Sequence, residues 1–111
     1  MDELYIMVMD ELTTELQGDP DFNLSILGVK VKNAIRDVRL KRNYKATSYK
    51  EEQIVDDLYN YFSTIVNVAR YDYNQIGAEG QSQHNENDVS RTWVDRDRLF
   101  SDVIPFIKVL Q

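Results

Sequence analysis

Apolar residues recur every four positions at the start of the chain: Leu4, Val8, Leu12 and Leu16, with Tyr5 and Met9 widening the stripe. That period belongs to a helix with one buried face. It predicts a first helix over about 2–17, which Gly18 ends as a C-terminal cap. Asp19 and Pro20 then read as a start signal, because Asp caps free N–H groups and proline tolerates the first turn. The second helix, expected over about 20–42, carries Leu24, Leu27, Val31, Ala34, Ile35 and Val38 on one face. Its basic residues fall largely on the other. Gly28 is a mild weakness inside it, costing up to about 1 kcal/mol relative to Ala. Ser48 and Glu51 have capping-box spacing and open a third helix over about 49–76. Ile54, Leu58, Tyr61, Ile65 and Val68 form one stripe there, and Val55, Phe62 and Ala69 an adjacent one. Two stripes imply a central helix touched on more than one side.

The pattern then changes. Residues 77–94 are polar and punctuated by Gly77 and Gly80, then Val89, Arg91 and Trp93 alternate with Ser90 and Thr92. The alternation predicts a short extended segment, and a connection this long is usually functional or disordered. A short helix is expected at about 95–102, capped by Asp95 or Asp97, and an extended arm over 103–110. Pro105 lacks an N–H and biases Ile104 away from helix. The arm's apolar side chains need burial, either in the core or against a partner. The expected fold is mostly α: one domain over 1–111, three to four helices, a long irregular loop and an extended C-terminal arm.

A chain of 111 residues supports one core but no deep cleft between lobes. It has no cysteine, which excludes disulfides and thiolate metal sites. No apolar run approaches the roughly 20 residues that span a bilayer, so no membrane partner is expected. The acidic opening Met1, Asp2, Glu3 is unlike a signal peptide.

The net charge of −6 conceals an asymmetry. Residues 30–50 hold eight bases (Lys30, Lys32, Arg36, Arg39, Lys41, Arg42, Lys45, Lys50) against Asp37 alone, a balance of 8 − 1 = +7. The first 29 residues hold seven acids and no base. Opposite faces of this kind suit head-to-tail association of identical subunits. The alternative is pairing of the acidic first helix with the basic second within one chain.

Several pieces, taken in order and spacing, resemble the head-tail connector family of long-tailed bacteriophages. They are Ala34-Ile35, the turn Lys41-Arg42-Asn43-Tyr44, the helix around Asp57-Leu58-Tyr59, and the run from Tyr71 through Tyr73 to Gly80. Glu86-Asn87, the segment Ser90 to Trp93 and the arm from Val103 to Leu110 complete the set, which spans most of 24–110. Asp88 departs from the family, whose loops more often carry Gly there; Asp tolerates left-handed backbone better than most residues. The resemblance implies a virion structural protein, assembled in the host cytoplasm, that docks on the portal as a ring of roughly twelve subunits. It implies a role in head completion: extending the channel for packaged double-stranded DNA and receiving the next neck or tail-completion protein. Arg36, Arg39, Tyr73, Glu86, Asn87, Arg91, Trp93, Pro105 and Phe106 are then the candidate subunit or portal contacts.

Catalytic chemistry finds little footing. His84, the only histidine, lies in the polar loop with no cysteine or obvious hydroxyl partner, whereas catalysis needs a positioned nucleophile and an orienting carboxylate. Glu52 and Asp56 share a helix face, a spacing that suits a divalent cation and equally an ordinary solvated surface. Gly77 to Gly80 fits neither a phosphate loop nor a dinucleotide turn. No enzyme, cofactor or metal is expected. The other class of function is DNA binding, with Lys30, Lys32, Lys41, Arg42 and Lys45 on phosphates. The acidity of the remaining chain opposes that use.

Overall fold

The computed structural model describes residues 2–80 and 96–108. Four α-helices follow in order: α1 (Asp2–Leu16), α2 (Leu24–Arg42), α3 (Glu51–Tyr59) and α4 (Phe62–Gly80). A 3-10 turn, Tyr44–Ala46, leads from α2 towards α3. Residues 96–98 make a further helical turn, 103–108 run as irregular chain, and no strand occurs among the described residues.

α2 and α4 form the most extensive pair, and α1 packs on both. Leu4, Val8 and Leu12 of α1 meet Leu27, Val31 and Val38 of α2, Leu58 of α3, and Ile65 and Val68 of α4, all fully buried. Each such side chain contributes about 1.5–3 kcal/mol by leaving water. The stripes expected on the first and third helices therefore do converge on one core. Phe100 and Val103 join it from the C-terminal segment.

The helix boundaries differ from the expected ones at four places. α2 begins at Leu24 rather than at Pro20, because Asp19 serves its own turn. Its Oδ1 accepts from the Asp21 N–H at 2.8 Å and its carbonyl from the Phe22 N–H at 3.0 Å. Asn23 is the true cap, with Oδ1 accepting from the Ile26 N–H at 3.0 Å. Leu24, expected in the core stripe, is left exposed at the first helical position.

The expected third helix is two helices. The N–H groups of Asn60 and Tyr61 turn back to the carbonyls of Asp57 and Leu58, at 3.0 and 2.9 Å, closing α3 with i−3 bonds. The i−4 pattern resumes when the Ile65 N–H donates to the Tyr61 carbonyl at 2.9 Å. The start of α3 is also not the Ser48 box: Lys50 is the cap residue, and its N–H donates to Gln53 Oε1 at 2.8 Å. Finally, α4 continues through Gly77 to Gly80, four residues into the expected loop. The rest of that loop lies outside the described residues.

Gly28 is buried where α1 crosses α2, and a Cβ there would lie 2.8 Å from the Tyr5 hydroxyl oxygen. That oxygen is the tip of a half-buried side chain whose ring sits 5.6 Å from Lys32 Nζ. Helix propensity favours alanine by about 0.5–1 kcal/mol, and displacing the hydroxyl offsets it. Gly28→Ala is therefore expected to be near neutral in urea denaturation. In a Tyr5→Phe background, where the crowding oxygen is gone, it should stabilise by about 0.5–1 kcal/mol.

Candidate functional site

The described part of the C-terminal arm converges with the end of α2, and the local chemistry explains why. α2 ends on three bases, Arg39, Lys41 and Arg42, which favour the negative end of its dipole. Asn43 then adopts the left-handed conformation (φ 61°, ψ 56°) and donates its N–H to the Leu40 carbonyl at 3.2 Å. This reversal turns Tyr44 into the core and leaves the Arg42 carbonyl open, which accepts from the Phe106 N–H at 2.8 Å.

Arg42 is the hub. Its Nε and Nη2 bind the two oxygens of Asp57 at 2.7 and 3.1 Å, and its Nη1 donates to the Ile104 carbonyl. Its guanidinium lies 3.8 Å from the centre of the Phe106 ring and 5.2 Å from that of Tyr61. Asp57 also accepts from the Tyr44 hydroxyl at 2.6 Å. Burial and the Asp57 carboxylate push the Tyr44 phenol well above its ordinary value. The hydrogen bond from Arg42, with the Tyr44 bond adding to it, holds Asp57 below the usual carboxylate range. Phe106 completes an aromatic cluster with Tyr44 and Tyr49, at centroid distances of 5.8 and 5.3 Å. Asn43 Nδ2 reaches the Phe106 carbonyl at 3.0 Å.

Two further contacts fasten the segment that precedes the arm. Arg96 donates Nε and Nη2 to Asp72 of α4, at 2.7 and 2.8 Å, and Nη2 to Asp37 of α2 at 2.8 Å. Held by both carboxylates, its guanidinium is pushed above the ordinary arginine value. The Thr64 hydroxyl meets Asp102 at 2.8 Å.

The arm is thus a strap with an inner and an outer side. Val103 and Phe106 turn inward, while Ile104 and Ile107 are 67% and 80% exposed and Pro105 also faces water. Of the arm's expected contact residues, Pro105 is available, and Phe106 is spent on the domain itself. Ile104 and Ile107 are the outward residues that periodicity did not single out.

The other candidates separate in the same way. Arg36 is exposed, and the carboxylate nearest it is its neighbour Asp37 at 3.8 Å. Arg39 makes a two-pronged pair with Glu51 at 2.7 and 2.8 Å. Tyr73 is an internal staple: its hydroxyl oxygen accepts from the Asn23 N–H at 2.8 Å, and its ring packs on Phe22. Glu86, Asn87, Arg91 and Trp93 lie outside the described residues, as does His84. Among the bases expected to reach phosphate, Arg42 points into the domain. Lys32, Lys41 and Lys45 are exposed and Lys30 is half-buried.

Among the described residues no ion pair joins the acidic first helix to the basic second. Glu15 of α1 instead holds Arg70 of α4 through bonds of 2.7 and 2.9 Å. Glu52 and Asp56 are both exposed, and no group of three or more metal-ligating side chains occurs among the described residues. No described helix is long and apolar enough to cross a membrane. No family model, curated protein or solved structure matches the chain.

Proposed function

We propose that this chain is a structural neck protein of a long-tailed bacteriophage. It docks on the portal vertex as a ring, extends the DNA channel, helps to retain packaged DNA, and offers the attachment surface for the next neck or tail-completion protein. The supporting observation is the strapped arm. Its backbone is bonded to the end of α2, while Ile104, Pro105 and Ile107 form an apolar ridge on the outside. Exposed apolar residues on a fastened element favour contact with another protein. The same arm is among the pieces that carry the resemblance to the connector family.

A DNA-binding role for Lys30, Lys32, Lys41 and Lys45 has less support. Two of the strongest bases of that stretch, Arg39 and Arg42, are committed to Glu51 and Asp57. The test is negative-stain microscopy of the protein mixed with purified portal rings. A collar of added density is expected on wild-type mixtures, and a thinner or absent collar with Ile104→Asp/Ile107→Asp. Bare portals with the wild type, together with duplex binding that falls steeply with salt, would replace the neck reading with the DNA-binding one.

A further inference from the structure

Two helix faces lie largely open to water, apart from Glu3 against Tyr59 and Lys32 over the Tyr5 ring. On α1, Glu3, Ile6, Met7, Asp10 and Thr14 recur at three- and four-residue spacing, away from Leu4, Val8 and Leu12, and all are exposed. On α2, Val29, Lys32, Arg36 and Leu40 do the same on the side away from Leu27, Ala34 and Val38. The apolar members are large and open to water: Ile6 54%, Met7 43%, Val29 55% and Leu40 65%. Each face therefore pairs exposed apolar groups with charge of one sign, acidic on α1 and basic on α2. The spacing also matches. A rise of about 1.5 Å per residue puts Asp10 roughly one turn from Met7, as it puts Arg36 from Leu40.

We infer that the outer face of α1 binds the outer face of α2 on a second copy of this chain, head to tail. Charge selects this pairing over the symmetric ones. Two α1 faces would oppose Glu3 and Asp10 to themselves, and two α2 faces would oppose Lys32 and Arg36. Only the unlike faces satisfy both the apolar and the charged groups, which makes the contact heterologous. Glu3 also lies against the Tyr59 phenol, which partial burial and this carboxylate raise above its ordinary value. Asp10 makes no ion pair among the described residues, so it is the freer acid for an incoming base. Because these charges are exposed, the association is weak and falls with salt. It needs no portal, so it stands or falls separately from the neck reading.

Sedimentation velocity on the whole chain at low salt tests the contact. Wild type is expected to shift to larger species as concentration rises, and to revert in high salt. Asp10→Lys and Arg36→Glu, both at exposed positions, are each expected to weaken association about tenfold. An equal mixture of the two variants should regain it, since the reversed charges then face each other. Matching circular dichroism spectra would show that both variants are folded. A wild type that stays monomeric to millimolar concentration overturns the inference. So does a mixture that associates no better than its components. Self-association with bare portals would sink the neck reading and leave this contact standing.

Discussion

Arg42→Ala is expected to lower stability by about 3–5 kcal/mol, a fall in Tm on the order of 15 °C or more. The change does not merely delete an attraction. Arg42 and Asp57 are only 14% and 13% exposed, so the alanine variant strands a poorly solvated carboxylate with the Tyr44 hydroxyl as its main remaining partner. The Ile104 carbonyl loses its donor and Phe106 loses the cation stacked on its ring. Arg42→Met/Asp57→Leu, which removes both charges and keeps the volume, should recover much of the loss. Acid supplies a second check. Asp57 titrates below its usual value of 3.8, chiefly through its bond to Arg42. A depressed folded-state pKa gives stability that is present above the unfolded value and lost as pH falls through the folded one. Urea denaturation should therefore show the variant's deficit at pH 7 narrowing below about pH 4.

Arg96→Ala should cost about 2–4 kcal/mol, for a different reason. One guanidinium holds the carboxylates of Asp37 and Asp72, and one nitrogen lies 2.8 Å from an oxygen of each. Without it, two partly buried anions on α2 and α4 face each other across the vacated site. The segment around Arg96 also loses its tie to both helices. Arg96→Ala/Asp37→Asn is expected to be more stable than Arg96→Ala alone, because the repulsion is relieved. Arginine deletion that proves neutral in thermal melts would show that hydration screens the two carboxylates.

Much of the helical core was legible because the stripes at Leu4, Val8, Leu12 and at Leu27, Val31, Val38 repeat at one period. The break at Asn60 and Tyr61 was not, because the spacing of Leu58, Tyr61 and Ile65 fits one helix or two equally well. Asp19 with Pro20 imitated a helix start, since an Asp that closes its own turn has the same local signature as a cap. Tyr73 and Phe106 were contact residues only as the resemblance implied. Their inward roles depend on partners 50 and 63 positions away, Asn23 and Asn43, which no local pattern encodes. One clue to Arg96 was in plain view: Asp37, the single acid among eight bases, lacked a reason within its own helix.

The end of α2 is closed by a residue far along the chain, since the Phe106 N–H occupies the Arg42 carbonyl. Closing so long a loop is entropically expensive, whereas the turns of α1, α2 and α4 form from near neighbours. The arm is thus expected to settle last during folding and to open first afterwards. The Phe106 amide should exchange with solvent through this local opening while amides inside α2 and α4 wait for global unfolding. On that expectation the domain has two cooperative units of unequal depth, a helical body and a clasp that can lift from it.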